Sequence, residues 1–243
     1  MFPLYKKEIA QFFSSIMGYV IIAVFLVFNG LFAWLFPDSS ILVYGYATLG
    51  PLFENSPLIL FFLIPALTMR TIAEEKRNGT LELLYTKPMN DFQIIWAKYL
   101  AAFSLFVLCL LPTALYYYTI YHLASPVGNV DHGAMIGSYI GLLFLGASYT
   151  AIGLFASSIT SNQVVAFIVA ASLSFLMYKG FDLVSFLPGF FGKLDYIVMQ
   201  FGINAHYIAM SYGVIDTRDA LYFVTLIAFF LLLSLTALQS RKW

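Results

Sequence analysis

Long apolar runs separated by short polar segments make up most of this 243-residue chain. A helix that crosses the hydrocarbon core of a bilayer needs about 20 mostly apolar residues, and six runs meet or approach that length. The runs cover residues 16–36, 57–72, 92–121, 133–159, 164–181 and 220–239. This pattern predicts an all-α integral membrane protein with six transmembrane helices, which form a single domain over residues 1–243.

Two further segments are predicted to lie at the membrane surface. In residues 1–15, apolar residues recur on one helical face while Lys6 and Lys7 lie elsewhere, which is typical of an amphipathic helix in the interface plane. An extension of the first span is the alternative interpretation. Residues 182–219 hold apolar pieces that are too short to cross a bilayer but too aromatic to lie free in water. We expect short external re-entrant helices there.

Composition and charge support a membrane location and predict an orientation. The chain is 61% hydrophobic and only 10% charged, whereas soluble domains have about a quarter of their residues charged. Lysine and arginine concentrate in cytoplasmic loops, and nine such residues fall on the side of both termini against three on the other. The nine are Lys6, Lys7, Arg70, Lys76, Arg77, Lys87, Lys98, Arg241 and Lys242; the three are Lys179, Lys193 and Arg218. We therefore expect both termini in the cytoplasm.

Several activities are disfavoured by residues that the sequence lacks. Twelve basic residues balance twelve acidic ones, so a nucleic-acid partner has no electrostatic support. No Gly-x-x-x-x-Gly-Lys-Ser/Thr motif occurs, so the chain is not expected to hydrolyse ATP alone. The histidines His122, His132 and His206 lack paired spacing, which favours solvated loop residues over a zinc site. The spans carry no acidic residue at mid-depth for an ion-driven carrier.

Small residues recur every fourth position in two spans, which predicts close approach of neighbouring helices. These helix-packing stripes consist of Gly133, Gly137 and Gly141 in the fourth span and Ala166, Ala170 and Ser174 in the fifth.

A few polar residues lie near the middle of the predicted spans. Asn29, Thr113 and Tyr117 are the candidates to line a translocation pathway, and hydrogen bonds between helices are the alternative role for them.

Residues 65–93 form the one long polar interruption. Gly79 permits the left-handed or irregular turn that is needed to leave the second span, and Pro88 ends the short helix that follows. Asn90 and Gln93 have the spacing of a capping box at the start of the third span. The pattern predicts a short helix held between two spans.

This short helix is predicted at residues 80–86, with Thr80 as its N-cap and Glu82 favourably near its N-terminus. Its apolar residues are expected to be exposed for burial in a partner's groove: Leu81, Leu83, Leu84 and Tyr85. A charge cluster precedes it and is expected to pair either with Lys6, Lys7 and Glu8 or with a partner protein; its members are Arg70, Glu74, Glu75, Lys76 and Arg77.

The run Arg70-x-x-Ala73-Glu74-Glu75-Lys76-Arg77-x-Gly79-Thr80-Leu81-Glu82-Leu83-Leu84, followed by Pro88, resembles the coupling region of ABC-2 type transporter permeases. The amphipathic N-terminal helix, the six spans and the short external helices extend the resemblance over the whole chain. Within that superfamily, blocks such as Ile136-Gly137-Ser138-Tyr139 and Gly213-Val214-Ile215-Asp216 are similar to the gliding-motility-associated permease.

The resemblance implies a multi-pass permease subunit of a bacterial inner membrane. Such a subunit pairs with a second permease copy and with two cytoplasmic ATP-binding subunits, which hold the ATP and Mg²⁺, so this chain itself is expected to bind no cofactor. Residues 74–91 would form the coupling region, and the expected coupling residues are Glu74, Glu75, Gly79, Thr80, Leu81, Glu82, Leu83 and Leu84. A motility or secretion assembly without a conventional cargo is the alternative function. An independent channel or intramembrane enzyme is disfavoured by the lack of midplane chemistry.

Overall fold

The structure is a computed structural model of the chain and describes residues 1–37, 39–85, 88–187 and 194–240. Some predicted features lie outside the described residues. They are the side chains of Leu83 and Tyr85, the expected helix end at Thr86, and the counted charges Lys87, Lys193, Arg241 and Lys242.

The described residues form fourteen α-helices, joined in places by single turns of tighter or wider helix. In chain order the helices are α1 (Phe2–Ser14), α2 (Ile16–Gly30), α3 (Ile41–Tyr44), α4 (Gly50–Thr68), α5 (Ala73–Arg77), α6 (Thr80–Tyr85), α7 (Asp91–Leu110), α8 (Ala114–Leu123), α9 (His132–Ile159), α10 (Gln163–Phe175), α11 (Phe181–Ser185), α12 (Asp195–Met199), α13 (Ile203–Ser211) and α14 (Thr217–Gln239). Two π-helical turns, Leu31–Leu35 and Leu176–Gly180, and a 3₁₀ turn at Leu111–Thr113 continue α2, α10 and α7.

Six helical stretches within the described ranges are long and apolar enough to cross a membrane, as predicted. They are Ile16–Leu35, Gly50–Arg77, Asp91–Leu123, His132–Ile159, Gln163–Ser185 and Thr217–Gln239.

The second span starts at Gly50, seven positions before the predicted start at Pro57. Pro51 is well suited to the first helical turn, where its missing N–H costs no hydrogen bond, so the helix begins there despite the polar residues that follow. Pro57 inside α4 cannot donate to the Phe53 carbonyl, and the Tyr207 hydroxyl donates to that oxygen instead at 2.7 Å. Glu54 therefore belongs to a membrane helix and not to a loop.

Helix α1 is separate from the first span, because Ser15 between them adopts an extended conformation. It packs along the start of α7, where Leu4 contacts Ile94 and Ala97 in a small buried cluster. The interpretation of residues 1–15 as an extension of the first span is wrong.

Helix α9 is the centre of the bundle and contacts α4, α7, α10, α13 and α14. In its most apolar window 78% of the residues are buried, against 28% for the first, fifth and sixth spans. The latter three spans therefore form the periphery.

Both small-residue stripes contribute to helix contacts, although Gly133 at the end of the first stripe is exposed. At Gly137 a Cβ atom would collide with the carbonyl oxygen of Met210 and with the backbone of Gly213, and at Gly141 it would lie 3.3 Å from Met210. The glycine stripe thus packs against α13, which does not span the membrane. The second stripe, Ala166, Ala170 and Ser174, is fully buried on the side of α10 that packs on α9 and α4.

Helices α12 and α13 occupy the predicted external segment between the last two spans. His206 of α13 is buried, its Nδ1 lies 2.6 Å from Asp219 Oδ1, and its Nε2 lies 2.9 Å from the Gln200 carbonyl oxygen. Its ring also stacks on Tyr222 at 3.9 Å between centroids. The prediction that His206 is a solvated loop residue is therefore wrong, because tertiary packing brings α13 against the start of α14.

We predict that Gly137→Ala destabilises the protein whereas Gly133→Ala does not. The new methyl group at position 137 would overlap backbone atoms of Met210 and Gly213 that cannot rotate away, and overpacking of this kind costs about 1–3 kcal/mol. At position 133 the methyl group would meet only a side-chain oxygen of Asp131 at 3.4 Å. Thermal unfolding of the detergent-solubilised chains measures the difference, and equal melting temperatures would contradict the packing described here.

Candidate coupling site

The end of the bundle that carries α1, α5 and α6 is called the α6 end below. Helix α4 stops at Thr68, a turn leads into α5, and Gly79 then adopts φ +69° before α6 begins at Thr80. Of the two kinds of turn predicted at Gly79, left-handed or irregular, the structure has the left-handed one. Thr80, however, is the first helical residue of α6, and its hydroxyl donates to the Glu75 carbonyl at 3.4 Å. Its predicted role as an N-cap is therefore wrong.

Ser157 of α9 supports the break between α4 and α5. Its hydroxyl oxygen accepts hydrogen bonds from the backbone N–H groups of Ile72 at 3.1 Å and Ala73 at 3.0 Å, and its proton goes to the Met69 carbonyl at 3.1 Å. A hydroxyl has one donor and two acceptor sites, so this fully buried serine is saturated. One side chain thereby fixes the direction in which the polar segment leaves the second span.

A buried ion-pair network joins three separate segments at the α6 end. The Lys98 ammonium of α7 lies 2.9 Å from Glu8 Oε1 of α1 and 2.8 Å from Glu75 Oε2 of α5. It also donates to the Thr71 carbonyl at 2.6 Å. Lys7 closes the network, at 2.9 Å from Glu75 Oε1 and 3.8 Å from Glu8 Oε1. The predicted pairing of Glu75 with the N-terminal helix therefore exists.

Two ammonium groups balance two carboxylates, so the network carries no net charge. The Lys98 side chain has no exposed surface, and the carboxylates of Glu8 and Glu75 are nearly buried. Burial is the largest single effect on the pKa of Lys7, and it lowers that pKa. The hydrogen bond to Glu75 and the charges of Glu75 and Glu8 together outweigh burial, so the pKa of Lys7 is raised above the usual 10.5. Lys7 therefore stays charged at neutral pH.

The remaining members of the predicted charge cluster have separate environments. The Lys76 ammonium donates to the Ser158 carbonyl of α9, and the Lys6 ammonium lies over the Phe2 ring at 4.8 Å. Arg70 and Glu74 line a cavity of about 200 Å³ between α1 and α5, and Arg77 is exposed. The cluster is therefore not one unit.

The prediction that Leu81 is exposed is wrong. Its side chain is only 5% exposed and belongs to the main hydrophobic core, while Leu84 is half-buried and packs near Leu4 and Met89. Residues three positions apart share a helical face, so α6 turns Leu81 and Leu84 inwards, and Leu84 packs against the cluster of α1 and α7. Among the described side chains, Thr80 and Glu82 of α6 are exposed, as are Arg77, Asn78 and Gly79 just before it.

Helix α7 then starts as the sequence predicted, with the Gln93 side-chain oxygen accepting from the Asn90 N–H at 3.4 Å.

The three candidate pathway residues all form hydrogen bonds within the chain. Fully buried Asn29 donates to the Phe25 carbonyl at 2.9 Å and accepts from Ser56 of α4 at 3.0 Å. The Thr113 hydroxyl lies 3.0 Å from the Tyr139 hydroxyl, and the Tyr117 hydroxyl lies 2.7 Å from His132 Nδ1. Each of them links two helices, which is the alternative role considered for them.

Lys98 and Ser157 are the site residues that sequence reasoning missed. Lys98 was counted only as a positive charge, although a lysine seven residues into an apolar helix requires buried partners. That signal was present in the sequence. Ser157 carried no such signal, since serines are common in membrane helices and its three bonds depend on how α9 and the second span pack.

The described residues form a multi-pass helical membrane protein with six spans. Buried ion pairs of Lys98 join its polar segment to helix α1. Residues 38–238 match the family model described as ABC-2 family transporter protein. The chain therefore belongs to this family and is a permease subunit of a transporter. No curated protein matches it.

We predict that Lys98→Met strongly destabilises the fold, because it leaves Glu8 and Glu75 as buried like charges with only Lys7 to offset them. Removal of one partner of a buried ion pair costs about 3–5 kcal/mol. Lys6→Met is the matched control, since Lys6 is exposed on α1, the helix that also carries Glu8.

Thermal unfolding in detergent measures both variants. The double variant Lys98→Met with Glu75→Gln is expected to recover part of the lost stability, because it removes one of the uncompensated charges. A Lys98→Met protein as stable as Lys6→Met would rule out a stabilising role for the network.

Proposed function

We propose that this chain couples ATP hydrolysis by separate ATP-binding cassette subunits to transport, and that those subunits dock on the exposed surface of α6. The observation that carries the proposal is the attachment of α6 to the spans. Leu81 lies in the main core and Glu75, just before α6, is tied to α1 and α7 through Lys98. A force on α6 would therefore reach the second span, the third span and α1 together.

The described part of the surface that α6 and the turn before it offer to a partner is polar. Arg77, Asn78, Thr80 and Glu82 are exposed there, and the backbone of Gly79 is open to solvent. Polar and charged rims give specificity and orientation to an interface more than affinity. The sequence has no phosphate-binding loop of its own, which is consistent with ATP and Mg²⁺ on the partner subunits.

The proposed orientation places the α6 end and both termini in the cytoplasm of a bacterial inner membrane. The positive charges Lys6, Lys7, Lys76 and Arg77 all lie at this end of the bundle, and cytoplasmic loops are enriched in such residues. Docking of ATP-binding subunits on α6 requires the same orientation.

A second permease copy completes the proposed assembly, as a homodimer or a heterodimer. Within the described residues, the candidate polar residues Asn29 and Thr113 are occupied by bonds between helices. The peripheral first, fifth and sixth spans keep most of their surface outside the subunit. These two features favour a pathway between two copies over one through a single chain.

Gliding-motility-associated export is the narrower proposal, and it rests on the sequence blocks alone. Reconstitution with ATP-binding subunits in proteoliposomes tests it against an assembly that moves no cargo. ATP-dependent movement of a labelled lipid or glycan supports export. ATP hydrolysis without such movement supports the mechanical alternative.

We predict that Glu82→Arg weakens association with the ATP-binding subunits at least tenfold, because the exposed charge near the start of α6 is reversed at the proposed contact. The matched control is Asp195→Arg, which reverses a half-buried charge near the start of α12 at the opposite end of the bundle. Pull-down from native membranes, followed by an ATPase assay on the recovered complex, measures both. Equal recovery with the two variants would count against docking on α6.

A further inference from the structure

A cavity of about 200 Å³ lies at the α6 end, between α1, the start of α2 and the polar segment that follows the second span. Pockets for drug-sized ligands typically enclose about 300–1,000 Å³, so this cavity suits a smaller chemical group. The charged side chains that line it are those of Glu8, Arg70, Glu74 and Glu75. The pairing of these four charges decides what the cavity can bind.

Two of the four charges are neutralised within the chain. The Glu8 and Glu75 carboxylates lie 2.9 Å and 2.8 Å from the Lys98 ammonium. The second oxygen of Glu75 lies 2.9 Å from the Lys7 ammonium. Two lysines thus balance these two acids, and neither acid requires a cation from a ligand.

Arg70 and Glu74 are the two charges of the cavity that lack a partner. Both residues are half-buried, and no described residue forms a hydrogen bond or an ion pair with either side chain. They do not pair with each other either, because the break between α4 and α5 separates them. The Arg70 Nε atom is buried and its N–H has no acceptor, which is unfavourable. Each of these charges therefore favours an opposite charge beside it.

Neighbouring groups add contacts for both an anion and a cation. Ser15 and Met17, at the start of α2, line the cavity, and no described side chain caps this helix. Helix N-termini favour phosphate and other anions. The hydroxyls of Ser14 and Ser15 donate to the carbonyls of Gln11 and Phe12, so their oxygen lone pairs remain to accept from a cation.

The cavity lies at the depth of the lipid headgroups. The first span begins at Ile16, so the residues just before it lie at the edge of the hydrocarbon core, next to the headgroup region. Ile16 and Tyr19 beside the cavity are 81% and 56% exposed, and tyrosine is enriched at this interface. A phospholipid whose acyl chains cover these two residues would have its headgroup beside the cavity.

We propose that this cavity binds a zwitterionic group made of a phosphate and a primary ammonium, with Arg70 as the partner of the phosphate and Glu74 as the partner of the ammonium. A guanidinium group binds phosphate oxygens in a bidentate way, and a primary ammonium has three donors for carboxylate and hydroxyl oxygens. The headgroup of phosphatidylethanolamine carries both groups, and a soluble ester of phosphoethanolamine is the other source. Binding requires neither ATP nor a partner subunit, so the proposal is independent of docking at α6.

The test uses the purified full chain in an uncharged maltoside detergent and three soluble probes. Glycerophosphoethanolamine carries both charged groups, its N-acetyl derivative keeps only the phosphate, and ethanolamine keeps only the ammonium. Saturation-transfer NMR titrations are expected to show that glycerophosphoethanolamine binds at least tenfold tighter than either of the other probes, because only this probe satisfies both Arg70 and Glu74.

Variants of the two charged residues assign the partners. Arg70→Gln and Glu74→Gln are each expected to weaken glycerophosphoethanolamine binding at least tenfold. Glu74→Gln is expected to leave the affinity for the N-acetyl probe unchanged, because that probe has no ammonium. The matched controls lie outside the cavity and are expected to bind like the wild type. They are Arg218→Gln, which alters an exposed arginine, and Asp195→Asn, which alters a half-buried acid.

Absence of binding, or equal affinities of the wild-type chain for the three probes, would overturn the proposal. Unchanged glycerophosphoethanolamine binding by either folded glutamine variant would do the same. If a variant fails to fold, the comparison of probes on the wild-type chain decides alone.

Phospholipid added to the detergent micelles identifies the source of the zwitterion. Displacement of glycerophosphoethanolamine by phosphatidylethanolamine, but not by an equal amount of phosphatidylglycerol, supports a lipid headgroup. A probe that phosphatidylethanolamine does not displace supports a soluble ligand. Equal displacement by the two lipids would contradict the role of Glu74, because phosphatidylglycerol has no ammonium group.

Discussion

The Lys98 ammonium is the interaction on which the α6 end of this protein depends. Burial of a charge in a low-dielectric interior is expensive unless the charge is paired and hydrogen-bonded, and Lys98 has both kinds of partner in Glu8, Glu75 and the Thr71 carbonyl. These groups come from three different segments, so the lysine is satisfied only when α1, α5 and α7 are assembled. Helix α1 is thereby packed into the bundle and does not merely lie on the bilayer surface.

Polar bonds specify the arrangement of the other helices in a similar way. In a bilayer, burial of apolar surface between helices gives little net driving force, so close packing and hydrogen bonds select the partners. Gly137 admits α13 to the surface of α9, and Asn29 with Ser56 joins the first and second spans. The Tyr207 hydroxyl compensates for the N–H that Pro57 lacks. Each of these contacts disfavours other registers of the two helices that it joins.

The sequence allowed prediction of the features that depend on local chemistry. The six spans follow from run length, the turn at Gly79 from its freedom to adopt positive φ, and the start of α7 from Asn90 and Gln93. These features need no knowledge of which segments meet in space.

Features that depend on tertiary contacts were missed or mispredicted. Leu81 was predicted to be exposed in a polar segment, yet tertiary packing buries it in the main hydrophobic core. His206 was assigned to solvent because the three histidines lack paired spacing, and the second span was predicted to start at Pro57 although it starts at Gly50. In the candidate site, pairing of Glu75 with the N-terminal helix was foreseen, but Lys98 at its centre was not.

Helix α9 connects the two ends of the molecule. At about 1.5 Å per residue, its 28 residues span about 42 Å. Its first turns hold α13 through Gly137 and Ser138, and its last turn holds the α4–α5 break through Ser157. A displacement of α5 therefore either carries α9 with it or breaks the three hydrogen bonds of Ser157. Because α9 is the most buried of the described spans, a movement that carries it must either take α13 along or break the contacts at Gly137 and Ser138.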